Sequence, residues 1–155
     1  MLNNYEEKLK KFLQKNNIKG EHLHFEESVH TVEDACREAN AQPDDFVKTI
    51  CMITNDGKVI CALVLGSYRA STERVAKALN TERPQVATPE QALEKTGYLV
   101  GGTPPFGYKA TFLIDTKVME KETVYVGGGT PNALVKISPK EVQRINQGII
   151  VRVRK

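Results

Sequence analysis

The sequence predicts an α+β fold, a curved mixed β-sheet flanked by helices, and three observations carry that expectation. Two apolar, β-branched runs at 46–54 and 58–65 flank Asn55-Asp56-Gly57, which is hairpin chemistry. Helix-period segments with explicit start and stop signals stand on both sides of that hairpin. Strands and helices are intermixed without the steady alternation of a doubly wound sheet. The 155 residues suit one buried core, and no repeat or linker interrupts them, so 1–155 is expected to be a single domain.

Leu2, Tyr5, Leu9, Phe12 and Leu13 recur at helical spacing until Asn16-Asn17-Ile18-Lys19-Gly20 supplies a stop. A short extended piece is expected at 22–26. Thr31, with Asp34 three residues on, resembles a capping box for a helix through Asn40, and Pro43-Asp44-Asp45 turns the chain into the hairpin. A three-residue loop would set Cys51 opposite Cys61, which is the favoured register. A two-residue loop at Asp56-Gly57 would pair Cys51 with Ala62 instead.

Ser71 or Thr72 opens a helix carrying Val75, Ala76 and Leu79. Thr88-Pro89-Glu90-Gln91 combines a cap, a proline at the first helical position and a box-closing glutamine, and Gly97 ends that helix. Strands are expected at 109–114, 123–126 and 133–137. Ser138-Pro139-Lys140-Glu141 reads as a second capping box, with Gly148 closing its helix. The alternating charges of 149–155 suggest a half-exposed terminal strand.

Composition narrows the function. With 40% hydrophobic and 26% charged residues, the chain is neither disordered nor of low complexity. The longest apolar run, 59–65, is far short of the ~20 residues of a membrane-spanning helix. Residues 1–11 mix acids, bases and amides and lack the apolar centre of a signal peptide. Three cysteines are an odd, sparse set that suits a reducing cytosol, so a cytoplasmic location is expected. A net charge of +3 permits a phosphate-bearing partner without demanding one. With no tryptophan and few aromatics, an extended base-stacking platform is not expected.

Metal chemistry has little support. His22 and His24 would share one strand face, but no third ligand stands at a usual spacing, so they read as surface histidines, and His30 as a solvated loop residue. Cys36, Cys51 and Cys61 fall on apolar faces and lack the electropositive setting of a reactive thiol. No Gly-x-Ser-x-Gly elbow is present. The loops Gly101-Gly102-Thr103-Pro104-Pro105-Phe106-Gly107 and Gly127-Gly128-Gly129-Thr130-Pro131-Asn132 match neither a triphosphate cradle nor a dinucleotide fingerprint. They offer bare backbone instead: either turns that need positive φ, or amides that approach a ligand and stabilise an oxyanion. Lys48 shares a strand face with Phe46, Ile50 and Met52. There it either guards a sheet edge or holds an anion in a cleft.

These pieces have a familiar order. Phe46-Val47-Lys48-Thr49-Ile50, Thr96-Gly97-Tyr98 with Gly101 to Gly107, Ile114-Asp115, and Val126-Gly127-Gly128-Gly129 together resemble the YbaK/prolyl-tRNA synthetase-associated editing domain family. Thr31-Val32-Glu33-Asp34-Ala35 is similar to the segment that precedes the lysine strand in several members, and the likeness runs over 31–141. It implies a free-standing trans-editing deacylase that hydrolyses the ester of mischarged tRNA, commonly tRNA(Pro) carrying alanine or cysteine. It further implies catalytic roles for Lys48, Gly101, Gly102 and Thr103. Thr31, Pro104, Pro105, Gly107, Gly127, Gly128 and Gly129 would contact substrate.

No cofactor or metal is implied. The partners would be the 3′ end of aminoacyl-tRNA and, as a candidate, prolyl-tRNA synthetase, with monomer or homodimer left open. One departure bears on specificity: cysteine-specific members typically read Val-Ser-Ala-Gly where this chain has Val126-Gly127-Gly128-Gly129. A hydroxyl is therefore missing at 127, which moves the expectation toward alanine. Two alternatives stand beside deacylation. One is a non-catalytic module of the same fold that binds a tRNA end or a nucleotide. The other is docking of the basic end (Arg144, Arg152, Arg154, Lys155) on a synthetase or ribosomal RNA.

Overall fold

A computed structural model gives the fold of residues 2–155; the side chain of Leu2, expected to face inward, lies outside what it describes. Helix α1 (Leu2–Lys15) leads into β1 (Gly20–His24), and α2 (Val32–Ala39) precedes the hairpin of β2 (Val47–Ile53) and β3 (Val59–Leu65). Then come α3 (Thr72–Leu79), β4 (Gln85–Val86), α4 (Pro89–Thr96), β5 (Thr111–Ile114), β6 (Val124–Gly127), β7 (Ala133–Ile137), α5 (Pro139–Asn146) and β8 (Ile149–Ile150). The architecture is α+β, as expected, but the strands divide into two sheets. One is three-stranded, in the order β1-β7-β6, and the other five-stranded, β4-β2-β3-β5-β8, with β5 parallel to both β3 and β8.

The hairpin adopts the favoured register, with Cys51 opposite Cys61, because the Thr54 N–H donates to the Lys58 carbonyl across a three-residue loop. Strand β3 is apolar throughout because both of its faces are buried. Cys61, Leu63 and Leu65 join Leu9, Leu13 and Phe106 in the main core; Ile60, Ala62 and Val64 pack on Val75 of α3 and Val153. Each Leu, Ile, Val or Phe among them, fully buried, contributes about 1.5–3 kcal/mol. A third, smaller cluster of Val29, Ala35, Phe46 and Leu134 fastens α2 to the line where the two sheets meet.

The capping signals fared unevenly. At α4 the box closes both ways, with Gln91 N–H to Thr88 Oγ1 at 3.1 Å and Thr88 N–H to Gln91 Oε1 at 2.9 Å. At α2 Thr31 accepts from Asp34 N–H, but the Asp34 carboxylate turns to Arg37. The expected box at α5 is also one-sided. Ser138 accepts from Glu141 N–H, while the Glu141 carboxylate takes the Lys19 N–H and a bidentate bond from Arg144, which brings its pKa down to about 2. Gln147, at φ 56°, takes the left-handed position expected of Gly148. The terminal segment pairs as a strand only over Ile149–Ile150, and Val153 is fully buried.

Candidate functional site

The two sheets touch through one bridge, Phe46 to Tyr125, at the start of β2 and within β6. That bridge is parallel, and β2 and β6 otherwise belong to different sheets. The gap between them is a cleft of about 210 Å³, closed at one end by the 100–103 loop and roofed by the segment entering α2.

Strand register decides which backbone groups face this gap. In β2 the Phe46 carbonyl accepts from Gly66 N–H on the β3 side, whereas the Cys51 carbonyl accepts from Ala87 N–H on the other side. The odd-numbered residues therefore turn their amides outward, and Thr49 does so where no strand pairs with β2, because β4 begins its pairing only at Met52. In β6 the Gly128 N–H to Ala133 carbonyl bond turns the even-numbered residues toward β7, so Gly127 turns its backbone away from β7 toward the gap.

The glycine loops close on each other backbone to backbone. A Cβ at 102 would overlap the Thr130 main chain, and one at 127 would overlap the Thr103 carbonyl. Bare backbone at 127 is what lets the loops meet, and it accounts for the missing hydroxyl. Of the amides expected to serve a ligand, three are already engaged. Gly102 N–H donates to Leu99 O at 3.0 Å, Gly128 to Ala133 O at 3.0 Å, and Gly129 to Gly102 O at 2.7 Å, stitching one loop to the other. Among the described residues, the N–H groups of Gly101 and Thr103 have no protein acceptor, and Gly101 sits at φ 90°.

Lys48, Thr49 and His30 are polar side chains of the cleft that no hydrogen bond or ion pair among the described residues engages. Lys48 makes no ion pair among the described residues. Burial, and secondarily the charge of Arg69, push its ammonium below the ordinary lysine value against the opposing pull of Asp44. Thr49 Oγ1 is buried without a hydrogen-bond partner. His30 also lines the cleft, its ring lying so close on Gly101 that a Cβ there would overlap Nδ1. Neither stood out in the sequence as a site residue: Thr49 entered only within the 46–50 motif, and His30 read as a solvated loop residue. Both are brought in by the meeting of sheets and loops that are far apart in the chain.

The other expected site residues divide between cleft and support. Thr31, Lys48, Gly101, Thr103 and Gly127 line the cleft. Gly102, Gly128 and Gly129 are buried behind it. Pro104 and Pro105 are buried as well, their carbonyls held by the Tyr108 hydroxyl at 2.6 Å and the Asn146 amide at 2.9 Å. Gly107 lies on a separate hollow beside Phe12 and Tyr108. Among the described residues, no three His, Cys, Asp or Glu side chains group as metal ligands, and no helix is long and apolar enough to cross a membrane.

Residues 26–145 match the model of the aminoacyl-tRNA editing domain. This chain belongs to that family. Among its relatives, uncharacterized protein YwhH of Bacillus subtilis is 23% identical over 79% of this chain and 78% of its own length. The proline–tRNA ligase of Maridesulfovibrio salexigens is 30% identical over 64% of this chain, a match that occupies 17% of the ligase. The fold is that of hypothetical protein APE2540, at TM-score 0.88 and 24% identity over 96% of this chain and 99% of the other. It is also that of a candidate trans-editing enzyme for prolyl-tRNA synthetase, at TM-score 0.87 and 23% identity over 97% of each chain.

The cleft of this editing domain is braced from outside the matched segment. Glu6 on α1 is 5% exposed and accepts from the Thr130 hydroxyl at 2.7 Å; it is also bonded to His24 Nδ1 at 2.9 Å. His22 Nε2 donates to the Gly128 carbonyl at 2.8 Å, with its side chain 7% exposed. The reading of His22 as a surface histidine is thus corrected: it is a buried strut of the glycine loop. Burial alone would raise the Glu6 carboxyl, but the Thr130 and His24 bonds, with the charges of both histidines, outweigh it and leave it below its ordinary value.

Proposed function

We propose that this protein is an aminoacyl-tRNA deacylase that hydrolyses the ester of tRNA(Pro) mischarged with a small amino acid, alanine before cysteine. The observation that carries the reading is the cleft itself, lined both by Lys48, unpaired among the described residues, and by Gly101 and Thr103, whose amides are free. An aminoacyl ester is already activated, so positioning, water and amide donors suffice without a protein nucleophile. Lys48 holds the anionic 3′ end or the reacting carbonyl, and the amides of Gly101, Thr103 and Gly127 grip the ester. About 210 Å³ suits a small aminoacyl group, and a side chain at 127 that would recognise a thiol is absent. The trans-editing candidate of the same fold and the proline–tRNA ligase match support both the reaction class and the tRNA.

The test is deacylation of tRNA(Pro) charged separately with alanine, cysteine, serine and proline, for wild type and Lys48→Ala side by side. One small ester is cleaved, Pro-tRNA is spared, and the variant loses about 30- to 4000-fold, the equivalent of a charge contact of about 2–5 kcal/mol. One observation favours a second reading: among the described residues no carboxylate lines the cleft. Tight binding of the same tRNAs without turnover on any ester would replace the deacylase with a module that binds the tRNA end.

A further inference from the structure

We infer that His30 is the proton acceptor for the attacking water, an assignment that rests on the deacylase reading above. Hydrolysis without a protein nucleophile still needs a place for the proton that water loses. Three titratable side chains line the cleft: Lys48, Tyr125 and His30. An ammonium and a phenol are proton donors at neutral pH, and imidazole is the side chain that both accepts and returns a proton there.

The ring is held in place through its backbone. Val29 N–H donates to the Pro131 carbonyl at 2.7 Å, His30 N–H to Ser28 Oγ at 3.1 Å, and Thr31 then caps α2. The ring itself seats on Gly101, and among the described residues neither of its nitrogens is hydrogen-bonded to protein. Its neighbours in charge are Lys48 and Tyr125 across the cleft and Asp34 in the first turn of α2. His30 is exposed on the solvent side, where water enters, beside the loop whose amides would hold the oxyanion.

The step balances. The water oxygen bonds to the ester carbonyl carbon as His30 takes one water proton, and the oxyanion forms against the Gly101 and Thr103 amides. The bond from that carbon to the ribose oxygen then breaks, and the proton on His30 passes to the ribose oxygen. Free amino acid and intact tRNA leave, and the imidazole is neutral again.

The experiment measures alanyl-tRNA(Pro) hydrolysis by wild type, His30→Ala, His30→Asn and Lys48→Ala, with and without added imidazole. Both His30 variants are expected to lose about 10²- to 10⁴-fold in kcat with KM little changed. Added imidazole restores part of the rate to His30→Ala and none to Lys48→Ala. If both His30 variants keep kcat while Lys48→Ala is inactive, the proton-acceptor role is wrong and the deacylase reading stands. Loss confined to KM, or loss that imidazole does not restore, also overturns it. A wild type inert on every ester overturns both. Thermal melts of the variants confirm folding, which an exposed side chain without hydrogen bonds leaves intact.

Discussion

Lys48 is a half-buried charge and Asp115 a fully buried one, and the fold treats them in opposite ways. Asp115 is fully buried at the end of β5, and every oxygen is used. It accepts from the N–H groups of Val153 at 2.9 Å, Arg154 at 3.1 Å and Lys117 at 3.1 Å, and its Oδ2 meets the Arg154 guanidinium at 3.0 Å. Burial works to raise its pKa, but these donors outweigh it and hold the carboxyl below its ordinary 3.8. Lys48 has no such partners, and beside it the Thr49 hydroxyl is buried unpaired. A satisfied charge fastens the C-terminal segment to the sheet; the unsatisfied one is the group proposed above to hold the substrate.

The contrast can be broken first at Asp115. Asp115→Ala leaves Arg154 without its partner and is expected to lower unfolding stability by about 3–5 kcal/mol in denaturant melts. Because the folded pKa is depressed, the wild-type contribution is present above 3.8 and lost as pH falls through the folded value. The stability gap between wild type and variant should therefore narrow in acid.

At Lys48 the sign reverses. Lys48→Met removes a charge the fold does not pair, so stability should rise, on the order of 0.5–2 kcal/mol, while deacylation is lost. The wild-type penalty is fully present below the depressed folded pKa and is relieved as pH rises toward 10.5, so the gain should shrink there. A variant less stable than wild type at neutral pH would show that Lys48 is satisfied after all.

The smallest effect belongs to Thr49. Thr49→Val replaces an unpaired hydroxyl by a methyl group of similar shape and should change stability by no more than about 0.5 kcal/mol. A loss above about 1 kcal/mol would reveal a partner for that hydroxyl and weaken the contrast.

Local chemistry made the framework legible in the sequence. Asn55-Asp56-Gly57 set the hairpin register, Thr88 with Gln91 set the start of α4, and an apolar run buried on both faces marked β3. What could not be read came from other groups, some distant in the chain and some on the same element, competing for the same partner. Glu141 was expected to serve its own helix, yet Lys19 and Arg144 take it. Gly102 and Gly129 were expected to present amides, but the loops spend those bonds on Leu99 and on each other. His30 lines the cleft on a segment that the Val29 N–H bond to the distant Pro131 carbonyl holds in place.

The brace from α1 changes what counts as the working unit. Glu6, His22 and His24 lie ahead of the segment that matches the family, yet they hold the Thr130 hydroxyl and the Gly128 carbonyl from behind. A fragment cut at 26 would keep every recognisable motif and lose that backing, along with Leu9 and Leu13 from the main core. Grafted into another enzyme, such a fragment would need a surrogate helix carrying one inward carboxylate. Without it the glycine loop would have the right residues and no fixed shape.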